Sequence, residues 1–470
     1  MKKFLLLFCL MSTLSFQAQN FWSEVGPFPL NDHFAPFQMS VLDANTIWVQ
    51  GLDYSTGVDV PAWCRSLDGG VTWTHGVITL GNPNLTVSCF QALTETTAYA
   101  TAFPKAEGFT GGIWVTHDAG ATWTQQDPTI FSTSYSFANV IHFWDENKGV
   151  AIGDPVDGVF EIYTTTDGGT NWVATSAVSI PPAVCYGPAS NPCQLSELGL
   201  SAKFDVVNNR IWFATTAGRL YMSDNFGVSW TAKQSPIPDF GGGMNGSDLG
   251  AFCFTTENKG RLIVTDPSTG VGGNFFKTED GGATWQAIPV SENIRTFAIT
   301  DIPGSSEAFY TYGEFLTAPD RGISLSIDNG LTWSNLNATD SNPIEGGLTE
   351  FISPTVGYCI SRHSPTGPLA EPSTFFKLND PLQLLSTMEA SAATEALFVA
   401  PNPTTDFVRV SGKNIRKVTV TDMQGKLLLK EFYAGLNTVA LDLSTFRAGL
   451  YLIKATNSTG KSSTMKIIKK

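Results

Sequence analysis

The chain has 470 residues, more than one ordinary core organises, so it holds several domains or a repeated architecture. Charged residues make up 15% and aromatics 12%, with 44 glycines and 26 prolines, which excludes a disordered or collagen-like chain and favours an all-β protein rich in turns. The formal net charge of -14 excludes a nucleic-acid partner, because phosphate recognition needs a basic surface. That charge is uneven: residues 396–470 carry +8, residues 1–18 carry +2, and the stretch between them carries -24. Two modules with different jobs are expected.

Lys2 and Lys3 precede the apolar stretch 4–14, and Ala18 offers a small residue for cleavage, so residues 1–19 are expected to be a secretory signal peptide. The stretch is too short for a bilayer, which needs about 20 residues, and the bulky Phe8 before Cys9 argues against a lipoprotein. No later stretch has 18 uninterrupted apolar residues, so no transmembrane segment is expected in the mature chain. Export would place the remaining cysteines in an oxidising compartment. Cys185 and Cys193 bracket a short Pro/Gly-rich stretch and are expected to form a disulfide, while Cys64, Cys89, Cys253 and Cys359 sit in strand-like contexts that suit buried thiols.

One motif recurs six times: Ser66-Leu67-Asp68-Gly69-Gly70-Val71-Thr72-Trp73, then residues 116–123, 165–172, 223–230, 278–285 and 326–333. Its acidic position falls at Asp68, Asp118, Asp167, Asn225, Asp280 and Asp328, in steps of 50, 49, 58, 55 and 48 residues. That period suits a four-stranded propeller blade. The motif also makes sense as a tight hairpin: a carboxylate takes backbone N–H groups, a glycine adopts φ > 0, and a tryptophan covers the turn. Asn225 replaces the Asp in one copy, and Asn171 replaces the Thr before Trp172 in another. The repeat resembles the Asp-box of bacterial neuraminidases, which implies a structural hairpin between the third and fourth strands of a blade, on the face away from the ligand site.

A looser strand-turn-strand pattern precedes each box and appears a seventh time over residues 350–361. Seven blades are therefore expected over residues 20–385, with six or eight as the alternatives. The last lacks a clear box near residue 380, and the segment starting Phe21-Trp22 looks like the strand that comes after a box in the other blades. The N-terminal segment is thus expected to supply the outer strand of the last blade, which leaves no open edge at the seam. Residues 143–153, from Phe143-Trp144-Asp145-Glu146 onward, are similar to the signature of photosystem II stability/assembly-factor-like propellers, a resemblance of fold.

Candidate ligand residues follow from the loops opposite the boxes: Asp53 and Tyr54 in blade 1, Asp154 and Asp157 in blade 3, Asp266 in blade 5, Arg321 in blade 6 and Arg362 in blade 7. Asp248 and Glu350 on blade-joining segments extend the set. No catalytic residue, cofactor or metal is assigned. Asp154 and Asp157 could lend two oxygens to Ca²⁺, but as neighbours in a loop they read better as turn residues. A sialidase needs three arginines converging on a carboxylate, whereas Arg295, Arg321 and Arg362 come from neighbouring blades.

Residues 386–396 have the composition of a linker. Residues 397–470 read as six or seven short alternating strands, a small C-terminal β-sandwich. Pro401-Asn402-Pro403, Asp422-Met423-Gln424-Gly425-Lys426, Ala448-Gly449-Leu450-Tyr451 and the basic end at Lys469-Lys470 look like the type A C-terminal sorting domain of the type IX secretion system. That resemblance implies export through the periplasm to the outer surface or beyond, with the secretion machinery as partner. The expected protein is a secreted or cell-surface binding or scaffold propeller that recognises a protein or glycan. A secreted glycoside hydrolase, sialidase-like or xyloglucanase-like, is the alternative.

Overall fold

The computed structural model describes residues 22–29, 33–133, 136–185, 197–241, 250–264, 274–289, 294, 298–305, 307–313, 322–335, 347–361, 374–379, 398–400, 404–422, 426–457 and 462–470. The chain divides into two compact units, with the boundary after Leu384.

Among the described residues, the first unit contains seven four-stranded antiparallel sheets. Six are consecutive meanders over residues 34–77, 85–126, 138–174, 199–234, 250–288 and 298–335, here blades 1 to 6. Blade 7 takes three strands from residues 347–378 and its fourth from Trp22–Pro27, which pairs antiparallel with Thr374–Leu378. The first strand of each blade touches the first strands of both neighbouring blades, and contact between Phe34–Val41 and Gly347–Ser353 closes the ring. This is a seven-bladed β-propeller, and its N-terminal strand closes the seam as the sequence leads one to expect. Trp22 anchors that strand: it is buried against Tyr310 of blade 6 and Phe351 of blade 7, at ring distances of 6.2 and 5.8 Å.

Cores form between blades because each sheet is apolar on both faces. Trp48 and Trp63 of blade 1 pack with Phe90, Trp114 and Trp123 of blade 2, while Ile47 and Val49 join Tyr358, Ile360 and Phe375 across the seam. Cys64, Cys89, Cys253 and Cys359 are free thiols buried in these cores. Burial raises all four thiol pKa values, Cys89 to about 12 and Cys359 to about 11.

All six repeated hairpins share one hydrogen-bond circuit. In blade 1 the Ser66 hydroxyl donates to Asp68 Oδ1 at 2.9 Å and accepts the Gly70 N–H at 2.8 Å. Asp68 then accepts the Thr72 N–H at 2.8 Å and the Thr72 hydroxyl at 2.6 Å. The variant copies keep the circuit by exchanging donors. Asn171 Nδ2 replaces the threonine hydroxyl at 2.7 Å from Asp167. Asn225 Nδ2 donates to Ser229 Oγ at 2.9 Å, so there the hydroxyl accepts. The motif glycine has two tasks at Gly120: its φ is +86°, and a Cβ would lie 2.3 Å from Trp63 of the preceding blade. Backbone bonds tie each of five hairpins to the first turn of its own blade, as Gly69 N to Asn45 O and Gly168 N to Asn147 O, both 2.9 Å. The hairpins and first turns therefore share one face. The second-to-third-strand turns and the blade-joining segments occupy the other, the loop face.

In the second unit, the expected short strands are longer. Phe407–Asp422 and Leu427–Asp442 pair along most of their length, and the ladder slips twice around Ile415. The slips bend the hairpin instead of ending it. Phe398–Ala400, Gly449–Asn457 and Ser462–Lys469 complete a five-stranded sheet. Val408 and Val410 before the bend, and Val418 and Val420 after it, belong to one core with Leu441, Ile453 and Ile467, so the bent sheet does the work of the two expected layers.

Candidate functional site

On the loop face one backbone bond recurs in blades 1 to 4, from the end of the second strand to the residue before the first, as Tyr54 N to His33 O and Lys105 N to Asn84 O, while the side-chain arrangements of blades 1, 3 and 4 differ. In blade 1, Asp53 ends the second strand and its Oδ1 accepts the Ser55 N–H at 2.8 Å, an Asx turn. The backbone of the next residue, Tyr54, donates to His33 O at 2.7 Å and accepts from Gly57 at 2.9 Å, so the loop start is fixed to the segment entering the ring. In blade 3, Asp157 (φ 52°) and Gly158 (φ 80°) form a tight turn on which Asp157 is exposed.

Asp154 differs from the expectation of an exposed ligand residue. It is half-buried, and its Oδ1 accepts both Asn139 Nδ2 and the Gly199 N–H at 2.8 Å, joining blade 3 to the first strand of blade 4. Burial pushes its carboxyl up to about 7, and the negative Glu161 nearby adds to the rise, against the two hydrogen bonds. Burial also raises Glu161, which accepts the Tyr163 hydroxyl at 3.0 Å.

Blade 4 carries the most elaborate feature of this face. Glu197 is fully buried and receives Arg219, whose Nε lies 3.0 and 3.1 Å from its two oxygens and whose Nη2 also contacts it. Among the described residues this is the one ion pair. The Thr215 hydroxyl and the Val184 N–H also donate to Glu197, and Arg219 Nη2 reaches Pro182 O at 2.8 Å. The Glu197 N–H donates to Val184 O at 2.8 Å. Both ends of the segment that follows Cys185 are thus pinned to one rigid base, and Cys185 is itself disulfide-bonded. Its expected partner Cys193, and the candidates Asp248, Asp266, Arg295, Arg321 and Arg362, lie outside the described residues.

A second set of polar groups lies on the inner strands, where the sequence reading found no site. A first strand pairs with one neighbour only, so its other edge holds backbone groups without ladder partners. The preceding blade supplies them. Gln38 Oε1 accepts the Phe90 N–H at 2.5 Å, Gln91 Oε1 accepts Phe143 N–H at 2.6 Å, and Asp205 Oδ2 accepts Phe254 N–H at 2.5 Å. Glu350, expected on a loop, is on the first strand of blade 7 and accepts the Val41 N–H at 3.3 Å. Burial pushes its carboxyl up to about 8. Burial raises Asp205 and Asp301 as well, and Asp301 adds a like charge beside Asp205. Gln38, Gln91, Asp205 and Glu350 thus have a structural use at the blade boundaries they span. Among the described residues, no cluster of three or more His, Cys, Asp or Glu could hold a metal.

Residues 399–470 match the secretion system C-terminal sorting domain. A tail of this type directs export through the type IX secretion system to the cell surface or outside, with the secretion machinery as its reader. Among solved structures, the chain is similar to YCF48 bound to a D1 peptide, with a TM-score of 0.50 and 16% identity, over 77% of this chain and 97% of that one. YCF48 from Cyanidioschyzon merolae gives a TM-score of 0.34 at 17% identity, over 62% of this chain and 94% of that one. Phage phi92 endosialidase gives 0.42 at 10%, over 95% and 87%. At 16% identity the likeness to the first YCF48 structure is one of propeller fold. Among curated proteins none matches the chain. Among the described residues no helix is long and apolar enough to cross a membrane.

Proposed function

We propose that the mature protein is a secreted or surface-displayed propeller that recognises a protein or glycan through its loop face. Residues 1–19 serve as its signal peptide, residues 386–396 as a linker, and the six hairpins as structural Asp-boxes. The observation that carries this reading is the base at blade 4, where a buried Glu197–Arg219 pair holds both ends of a disulfide-bonded segment on the face opposite the hairpins. A buried ion pair is a costly way to gain stability, and fixing one geometry for a surface loop is the use that fits its position. In this reading Cys193 closes the disulfide. Asp53, Tyr54, Asp157, Asp266, Arg321 and Arg362 are surface contacts, while Asp154 holds the platform beneath them. The similar YCF48 structure contains a D1 peptide, which supports a peptide segment as one ligand class for such a propeller.

A glycoside hydrolase is the second reading, and it rests on Asp154. A carboxyl held near 7 beside another carboxylate has the protonation that a general acid needs. The exported protein, applied to glycan and peptide arrays and to a panel of glycans as substrates, separates the two. Retention of a ligand that weakens about tenfold in Tyr54→Ala or Asp157→Ala supports recognition. Turnover that disappears in Asp154→Asn, with the melting temperature kept, replaces it with hydrolysis.

A further inference from the structure

One face of the sorting unit combines lysines with exposed apolar side chains. Strand register places Lys417 beside Phe432 and Thr456, and Thr419 between Lys430 and Lys454. Val418, Val420 and Ile453 alternate with these residues and are buried in the core, so the lysines and Phe432 lie on the outer side of the sheet. Phe432 is 70% exposed, with the Lys430 ammonium 5.1 Å from its ring centroid, and the pair Leu450 and Ile468 continues the same face.

The four carboxylates of the tail are elsewhere. Glu431 points to the other side and accepts the Tyr433 hydroxyl. Asp422 and Asp442 accept backbone N–H groups of Lys426 and Ser444 at turns, and Asp406 precedes the first long strand. The face therefore presents cations and apolar groups with no acid among them. It borders strand Leu427–Asp442, which pairs with Phe407–Asp422 and with no other described strand. A strand edge offers directional backbone bonds that a protein can use and a lipid surface cannot, which favours a protein as occupant.

We infer that Lys417, Lys430, Lys454 and Phe432 form the surface by which the export machinery reads this tail, and that the reader presents an Asp/Glu-rich protein surface to it. The inference rests on the match to the sorting domain and is independent of the propeller's ligand.

The test is export of the full chain in the producing bacterium. The variant K417E/K430E/K454E should reduce exported protein at least about tenfold and accumulate in the periplasm, because like charges now face each other. The corresponding Lys→Arg variant should be exported as wild type. Normal export of the Glu variant overturns the inference. Should the Glu variant lose its unfolding transition, the Lys→Gln triple variant takes its place, with the same export defect expected and normal export again overturning the assignment. Deletion of residues 399–470 is the control: if it leaves export intact, the reading of the tail fails, and if it alone blocks export, only the face assignment fails. Binding of the purified chain to phosphatidylglycerol vesicles that the Glu variant abolishes, with its export unchanged, would give the face to a membrane instead.

Discussion

On the hairpin face, six blades repeat one circuit of hydrogen bonds from Ser or Thr through Asp or Asn to the residue before the tryptophan, whereas on the loop face blades 1, 3 and 4 carry different side-chain arrangements above a shared backbone bond. Blade 1 has the Asx turn at Asp53, blade 3 the Asp154 link to blade 4, and blade 4 the Glu197–Arg219 base. Repetition reflects a constraint that blades 1 to 6 share, closing a hairpin beside the neighbouring blade. Variation is found where nothing in the fold demands uniformity, and there a ligand can select residues one blade at a time.

The largest test of this contrast is at the loop-face base. Arg219→Ala leaves Glu197 buried without its cation and is expected to cost about 3–5 kcal/mol in chemical unfolding, together with new protease cleavage after Cys185. A loss near zero would show that the base is not what holds the segment.

A second test uses pH, because the acids Glu350 and Asp154 and the hairpin acids shift in opposite directions. Glu350 and Asp154 are raised by burial, so their contribution is complete below about 4, the unfolded carboxyl range, and is lost as pH rises through about 8 and about 7. The hairpin acids are lowered by their hydrogen bonds, Asp118 to about 2 with Thr122 as the main cause, so their contribution is present above about 4 and is lost as pH falls below it. Thermal unfolding of Glu350→Gln should therefore depend less on pH between 5 and 9 than the wild type does. An unchanged profile would remove Glu350 from the account.

Smaller effects are expected on the hairpin face. Asp328→Ala removes an acceptor of three hydrogen bonds, but in a largely solvated turn, and should cost about 1 kcal/mol. Asp328→Asn should cost less, under about 0.5 kcal/mol, because Asn225 already performs this role with the hydroxyl turned round to accept. Equal losses for the two variants would mean that charge, and not the bonding pattern, holds the hairpin.

How much was legible in the sequence divides along the same line. The hairpins could be read because their bonds run between residues two to four apart, so the pattern stays local. The seam could be read because the segment at Trp22 repeats the pattern of a blade's outer strand. The inner-strand acceptors Gln38, Gln91, Asp205 and Glu350 could not, since each bonds to a backbone group about 50 residues away, or across the closure, and a backbone partner leaves no mark in sequence. Glu197 was missed for a related reason: its value depends on Arg219 and Val184 arriving from two sides. In the tail, short strands are expected, yet pairing resumes at Ile415 after a slip in register.

The most direct test of the division between scaffold and recognition faces is the array-binding profile of the exported protein beside two variants that keep its melting temperature. Asp328→Asn on the hairpin face should bind as wild type does, and Tyr54→Ala with Asp157→Ala on the loop face should lose the ligand. Loss of binding in the hairpin variant, with the loop-face variant unaffected, would contradict the account.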